Sequence, residues 1–170
     1  MDDRIAGDHA QTGATAPVSV HFVNNVLAAA ASYIEDDPDQ ARDVLAELSA
    51  FLSYRLRRPP RDVSLAQEIE HTGVYVRLEQ ARFPGRIVAT LPARDEVPDI
   101  QIEPAAVQAP VADVLGRWLG QRPGPCRLAL RALPGEQALE LIVDRPSDPA
   151  VDPERLRIVP QASSTTRTVA

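Results

Sequence analysis

Apolar residues recur at three- and four-residue steps from Phe22 through Val23, Val26, Leu27 and Ala30 to Ile34. That is the period of a helix with one apolar face, and it predicts a helix running to about Glu35. Asp36-Asp37-Pro38 interrupts it. Asp37 suits the cap of a new helix and Pro38 its first position. Ala41, Leu45, Leu48, Leu52 and Leu56 make a second stripe, widened by Val44 and Phe51, which must stop before Pro59-Pro60. So short a link predicts an antiparallel hairpin. A third helix starts near Ser64, where Ser64 and Gln67 stand at capping-box spacing. Its buried stripe is Leu65, Ile69, Thr72, Val76 and Phe83, and Pro84-Gly85 ends it.

After Gly85 the period changes. Arg86 to Leu91 and Asp99 to Ile102 read as strands, and Glu103 to Leu119 as a helix in which Pro110 is awkward. Cys126 to Leu133 and Gln137 to Val143 flank Pro134-Gly135, the pattern of a β-hairpin. Asp152 to Ile158 has room for one short element. The fold class is therefore α+β: a helical part over 17–84, then a small α+β part over 85–159, with disordered tails expected at 1–16 and 160–170.

Composition narrows the functions. The chain has 170 residues, 44% of them hydrophobic, enough for a packed core. Its net charge of −6 and its lack of a long basic run exclude nucleic acid as an expected partner. The one local exception, Arg55, Arg57, Arg58 and Arg61, reads as a solvated helix end. The single Cys126 excludes an intramolecular disulfide and a multi-cysteine zinc site, and three dispersed histidines argue against any transition metal. No apolar run approaches the roughly 20 residues that span a bilayer, and the polar start is unlike a signal peptide. The expected location is cytoplasmic, with no membrane insertion.

Three ordered segments carry a resemblance. Val20-His21-Phe22-Val23-Asn24-Asn25-Val26-Leu27 is similar to the P-H-F-x-F-N-x-L motif of the LytS-like sensor histidine kinases, with Val20 for the proline and Asn24 for the second phenylalanine. Leu48-Ser49-Ala50-Phe51-Leu52-Ser53-Tyr54-Arg55-Leu56 resembles that family's L-S-x-x-L-R-Y-x-L stretch. Val63 to Glu70, followed by Tyr75 to Phe83, resembles v-x-L-x-E-E-l and then Y-L-x-i-E-x-x-R-F. Beyond residue 83 the likeness erodes. Pro104 to Asp113 stands where the family has P-x-x-L-Q-P-L-V-E-N, whose asparagine helps to hold the magnesium of ATP. Its place is Asp113 here, or Val114 with a one-residue shift. Val143-Asp144-Arg145-Pro146-Ser147-Asp148 stands where the family has D-N-G-x-G. Asp144 keeps the aspartate, but both glycines, with their tight turns, are gone. The second glycine-rich box has no counterpart before residue 170.

The resemblance implies a helical hairpin that pairs with a second copy as a four-helix bundle, followed by a small, degenerate kinase-type ATPase-like α/β sandwich. It implies a two-component signalling protein in which His21 is the phosphoacceptor and Asn25 orients water or the phosphoryl group. Asn25 also fits a bundle polar residue that fixes register. Asp113 and Asp144 are the candidates for a vestigial nucleotide site, so no cofactor is expected unless ATP and magnesium still bind there. The expected role is dimeric histidine phosphotransfer without ATP hydrolysis of its own. The partners are a second copy and a response regulator or partner histidine kinase. Two alternatives stand: a non-enzymatic pseudokinase that regulates an intact kinase or regulator, and an active kinase with a divergent nucleotide site. His71, on a charged helix face, and His9, in the tail, read as inert. Glu68, Glu79 and Arg82 read as helix-pairing and surface charge.

Overall fold

The computed structural model describes residues 19–56, 62–121, 124–148 and 150–160. Apart from Pro160, both expected tails lie outside them, as do Arg57, Arg58 and Arg61. The helices begin where the sequence supplies caps. Helix α1 is Val20–Tyr33, with the Phe22 N–H donating to Ser19 Oγ at 3.4 Å. Helix α2 is Pro38–Leu56, and the Gln40 N–H donates to Asp37 Oδ1 at 3.0 Å. Helix α3, Leu65–Arg82, opens on a full capping box. The Gln67 N–H reaches Ser64 Oγ at 3.2 Å, and the Ser64 N–H reaches Gln67 Oε1 at 3.1 Å. Such caps are worth about 1 kcal/mol each. Gly85, at a φ of +71°, makes the left-handed turn after α3.

The helical part is a three-helix unit. The stripe expected to need a second copy is largely covered within the chain: Val26, Ala30, Val44, Leu48 and Phe51 are buried as α1 and α2 pack on each other and on α3. Helix α3 is the central element. Besides Leu65, Ile69, Thr72 and Val76, it buries Glu68, Val74, Tyr75, Leu78 and Glu79. Its second side faces α4 and β2.

Strand β1 (Val63–Ser64) pairs with β3 (Gln101–Ile102) in a two-stranded antiparallel ladder, Val63 opposite Ile102. The second sheet has the order β2 (Ile87–Thr90), β4 (Cys126–Ala132), β5 (Leu139–Asp144), β6 (Glu154–Ile158). β2 runs parallel to β4, and the other neighbours are antiparallel. The crossover from β2 to β4 contains α4, Gln108–Gln121. This helix starts later than the sequence suggested, so Pro110 is its third residue, where an N–H has no intrahelical partner to lose. The expected hairpin is present, turning through Gly135 at a φ of +75°.

Alternation along the strands builds the core. Cys126, Leu128 and Leu130, then Leu139, Leu141 and Val143, are buried. Arg127, Arg131, Glu140 and Asp144 take the alternate positions, on the other face. One hydrophobic cluster runs from Val26 through Leu65, Leu78 and Leu115 to Ile158, so both parts share a core. Each fully buried Leu contributes roughly 1.5–3 kcal/mol.

Candidate phosphoacceptor site

His21 is exposed in the first turn of α1, one turn before Asn25. The Asn25 side-chain amide donates to His21 Nε2 at 3.0 Å. In the neutral ring this arrangement places the proton on Nδ1 and leaves Nε2 with the lone pair. The two residues predicted as a pair are thus in contact.

The next residue anchors the turn. Phe22 is half-buried, with its ring centroid 5.4 Å from Phe51 and 5.5 Å from Tyr75. The Arg82 guanidinium lies over the same ring at 5.4 Å. Arg82 Nη1 in turn donates to both Glu79 oxygens, at 2.7 and 2.9 Å, and the Tyr75 hydroxyl donates to Glu79 at 3.0 Å. Burial pushes the carboxyl of Glu79 and the phenol of Tyr75 up. The Y-x-x-x-E-x-x-R spacing therefore builds a buried brace beneath the first turn of α1, which leaves His21 outward.

A second buried carboxylate ties three helices together. Glu68, fully buried on α3, accepts the Tyr54 hydroxyl of α2 at 3.0 Å and the Gln108 N–H that opens α4 at 3.1 Å. Arg55 Nη1 of α2 reaches Gln108 Oε1 at 3.3 Å. Just before Gln108, Ala105 holds a φ of +69°, a left-handed conformation that costs an alanine about 1 kcal/mol or more. Burial pushes the Glu68 carboxyl up, against the opposing pull of these donors.

Glu68 and Glu79 are thus not surface charge. The sequence held a signal for both. Glu68 sits at the i+3 position from Leu65, inside the apolar stripe, and Glu79 lies between Tyr75 and Arg82 at helical spacing. His71 is half-buried and stacks on the Tyr54 ring at 3.4 Å between centroids. Burial pushes its pKa down, which suits a packing residue.

Asp113 and Asp144 are not brought together. Asp113, on α4, is ion-paired with Arg117, which also binds Glu154 of β6. Glu154 pairs in register with core-facing Val143, so this cluster is on the helix side of the sheet. Asp144 pairs with Arg127 at 2.6 Å on the opposite face. Arg145, in the place of the motif's asparagine, is buried. Its Nη2 donates to the Trp118 carbonyl at 3.4 Å, and its guanidinium lies 5.8 Å from the Trp118 ring. Among the described residues no group of three or more His, Cys, Asp or Glu could hold a metal ion. Among them, too, no helix is long and apolar enough to cross a membrane.

The "Histidine kinase" family model matches residues 14–87. The sensor histidine kinase BtsS of Escherichia coli (strain K12) is 31% identical over 129 residues, 76% of this chain and 23% of that protein. The sensor protein LytS of Oceanobacillus iheyensis is 34% identical over 94 residues, 55% of this chain and 16% of that protein. The sensor histidine kinase/phosphatase LytS of Staphylococcus aureus (strain Mu50) is 30% identical over 101 residues, 59% of this chain and 17% of that protein. The chain therefore spans less than a quarter of the length of these relatives. By this likeness the chain belongs to the LytS-like family of sensor histidine kinases.

Proposed function

We propose that the chain works in two-component signalling as a dimeric histidine phosphotransfer module, with His21 as the phosphoacceptor. The observation that carries this is His21 itself. It is an exposed imidazole on a braced helical turn, with a hydrogen bond from Asn25 to the nitrogen that would attack. In the proposed step Nε2 attacks the phosphorus of an aspartyl phosphate on a response regulator. A P–N bond forms, the P–O bond breaks and the aspartate carboxylate leaves. Asn25 must release Nε2 for this, and its freed amide can then donate to a phosphoryl oxygen. The reverse transfer discharges the site.

The second copy follows from what the three-helix unit leaves bare. Phe22 and Tyr33 of α1, and Glu47 and Tyr54 of α2, reach toward α3. By helical period, Val20, Leu27 and Ile34 lie on the side of α1 away from those contacts, and Leu45 and Leu56 on the matching side of α2. They are 73, 43, 60, 45 and 74% exposed. Two copies that join these faces form the four-helix bundle.

Autonomous use of ATP is disfavoured. The two candidate nucleotide-site carboxylates are held by arginines on opposite faces of the sheet, and Pro146 replaces a turn glycine. The test is radiolabelling of the purified chain with ATP and magnesium alone, and then with a kinase and regulator pair from the same cell. Label is expected only in the second reaction, and none with His21→Ala. Label from ATP alone would establish the active-kinase reading instead. No label in either, together with capture of an intact kinase, would establish the pseudokinase.

A further inference from the structure

We propose that Arg82 is the phosphoryl-binding cation of this site: once Nε2 of His21 carries the group, the free edge of the Arg82 guanidinium donates to its oxygens. The inference rests on the reading of His21 as the phosphoacceptor and adds the residue that holds what His21 accepts. A phosphoryl group brings about two negative charges to the first turn of α1. Helix α1 has no Lys or Arg of its own to meet them. Arg82, at the end of α3, supplies the cation. Its guanidinium lies between two rings, 5.4 Å from the centroid of Phe22 and 5.1 Å from that of Phe83. Nη1 donates to both oxygens of Glu79, at 2.7 and 2.9 Å.

Bracing therefore uses the flat faces of the guanidinium and one of its corners. Nε and Nη2 make no hydrogen bond among the described residues, although the side chain is only 15% exposed. They form the edge of the fork that matches two oxygens of one phosphoryl group. His21 aims the group toward that edge. The lone pair of Nε2 faces the Asn25 amide at 3.0 Å, so a substituent on Nε2 projects along α1 toward Asn25. Asn25 is three residues beyond Phe22 and is its neighbour on the helix surface. The phosphoryl group thus enters the space beside the ring that Arg82 covers, where the freed Asn25 amide and the open edge of Arg82 both donate to it.

The test uses the full chain and phosphoramidate, which phosphorylates an imidazole without a partner protein. Nε2 attacks the phosphorus, a new P–N bond forms, and the old P–N bond breaks as ammonia leaves. The phosphorus resonance of phosphorylated His21 is the one missing from treated His21→Ala. In wild type it should titrate at lower pH than in Arg82→Gln, because a bound guanidinium favours the more highly charged phosphoryl form. Arg82→Lys keeps the charge but loses the fork, and should fall between them. Nitrogen-15 spectra give a second reading that needs no variant at Arg82. The Arg82 Nε–H of wild type should shift when His21 is phosphorylated, and should stay in place in treated His21→Ala. Identical phosphoryl titrations in wild type and a folded Arg82→Gln overturn the proposal. So does an Arg82 Nε–H that phosphorylation of His21 leaves unmoved. If phosphoramidate cannot label His21, the proposal falls together with the phosphoacceptor reading. If it labels His21 and Arg82 responds, but no phosphorylated regulator does the same, the Arg82 contact is upheld and only transfer from a regulator is defeated.

Discussion

The residues that organise the site are two acids that a water-filled environment would have served more cheaply. Burial holds Glu68 and Glu79 above the ordinary carboxyl value of 4.5. The folded state therefore binds their protons more tightly than the unfolded chain does. The stability this adds is complete below about pH 4.5 and is lost as pH rises through the folded-state values. Urea unfolding of the wild type should thus weaken from mildly acidic toward neutral pH, and Glu68→Gln should flatten part of that slope. Glu68→Ala removes the acceptor for Tyr54 and for the first N–H of α4, and should cost about 3 kcal/mol. Asn25→Ala should behave in the opposite way, with stability changed by less than about 0.5 kcal/mol. Its effect should instead appear in the rate at which phosphorylated His21 forms or decays, followed by quenched-flow labelling. The contact between His21 and Asn25 was legible because the two stand four residues apart on one helix face. The burial of Glu68 depends on Tyr54 and Gln108 of other helices, and that of Glu79 on Phe22 of α1 closing over its own-helix partners Tyr75 and Arg82, so neither is legible against a carboxylate's default exposure.

At the scale of elements, caps were readable and partners were not. Asp37, Ser64 with Gln67, and Gly85 mark their helix ends by local chemistry, and each sits where the sequence placed it. The start of α4 was misplaced because the chain turns through Ala105 with a positive φ, and alanine gives no sign of that conformation. Strand β1 was missed because a two-residue strand has no period to detect. The stripe on α2 was read as one face and is in fact two. Leu48 is 4% exposed and belongs to the core cluster, whereas Leu45 and Leu56 lie open. The variants should separate accordingly. Leu48→Asp should unfold the chain, because an unpaired charge in a core is not tolerated. Leu45→Asp with Leu56→Asp should keep the helicity and the melting of the protomer but abolish dimerisation. Circular dichroism and light scattering on the same samples read both effects.

Across the whole molecule, the shared core and the Glu68 junction join the histidine-bearing helices to the sheet. In the proposed account the sheet part supports the helices and does not serve them with nucleotide. Titration calorimetry with ATP and magnesium should show very weak binding or none, and micromolar affinity would reverse that assignment. The α+β class and the order of elements were readable from period changes and turn residues. The sheet order, with β2 parallel to β4 at one edge, depends on long-range pairing that no local pattern encodes. The most direct test remains the chemistry of one imidazole. The purified chain is exposed to phosphorylated response regulators from the same cell, and the modified residue is mapped by mass spectrometry. The account predicts acid-labile, alkali-stable phosphate on His21, lost in His21→Ala and unchanged in His71→Ala. Absence of label from the wild type, or label that persists in His21→Ala, would contradict it.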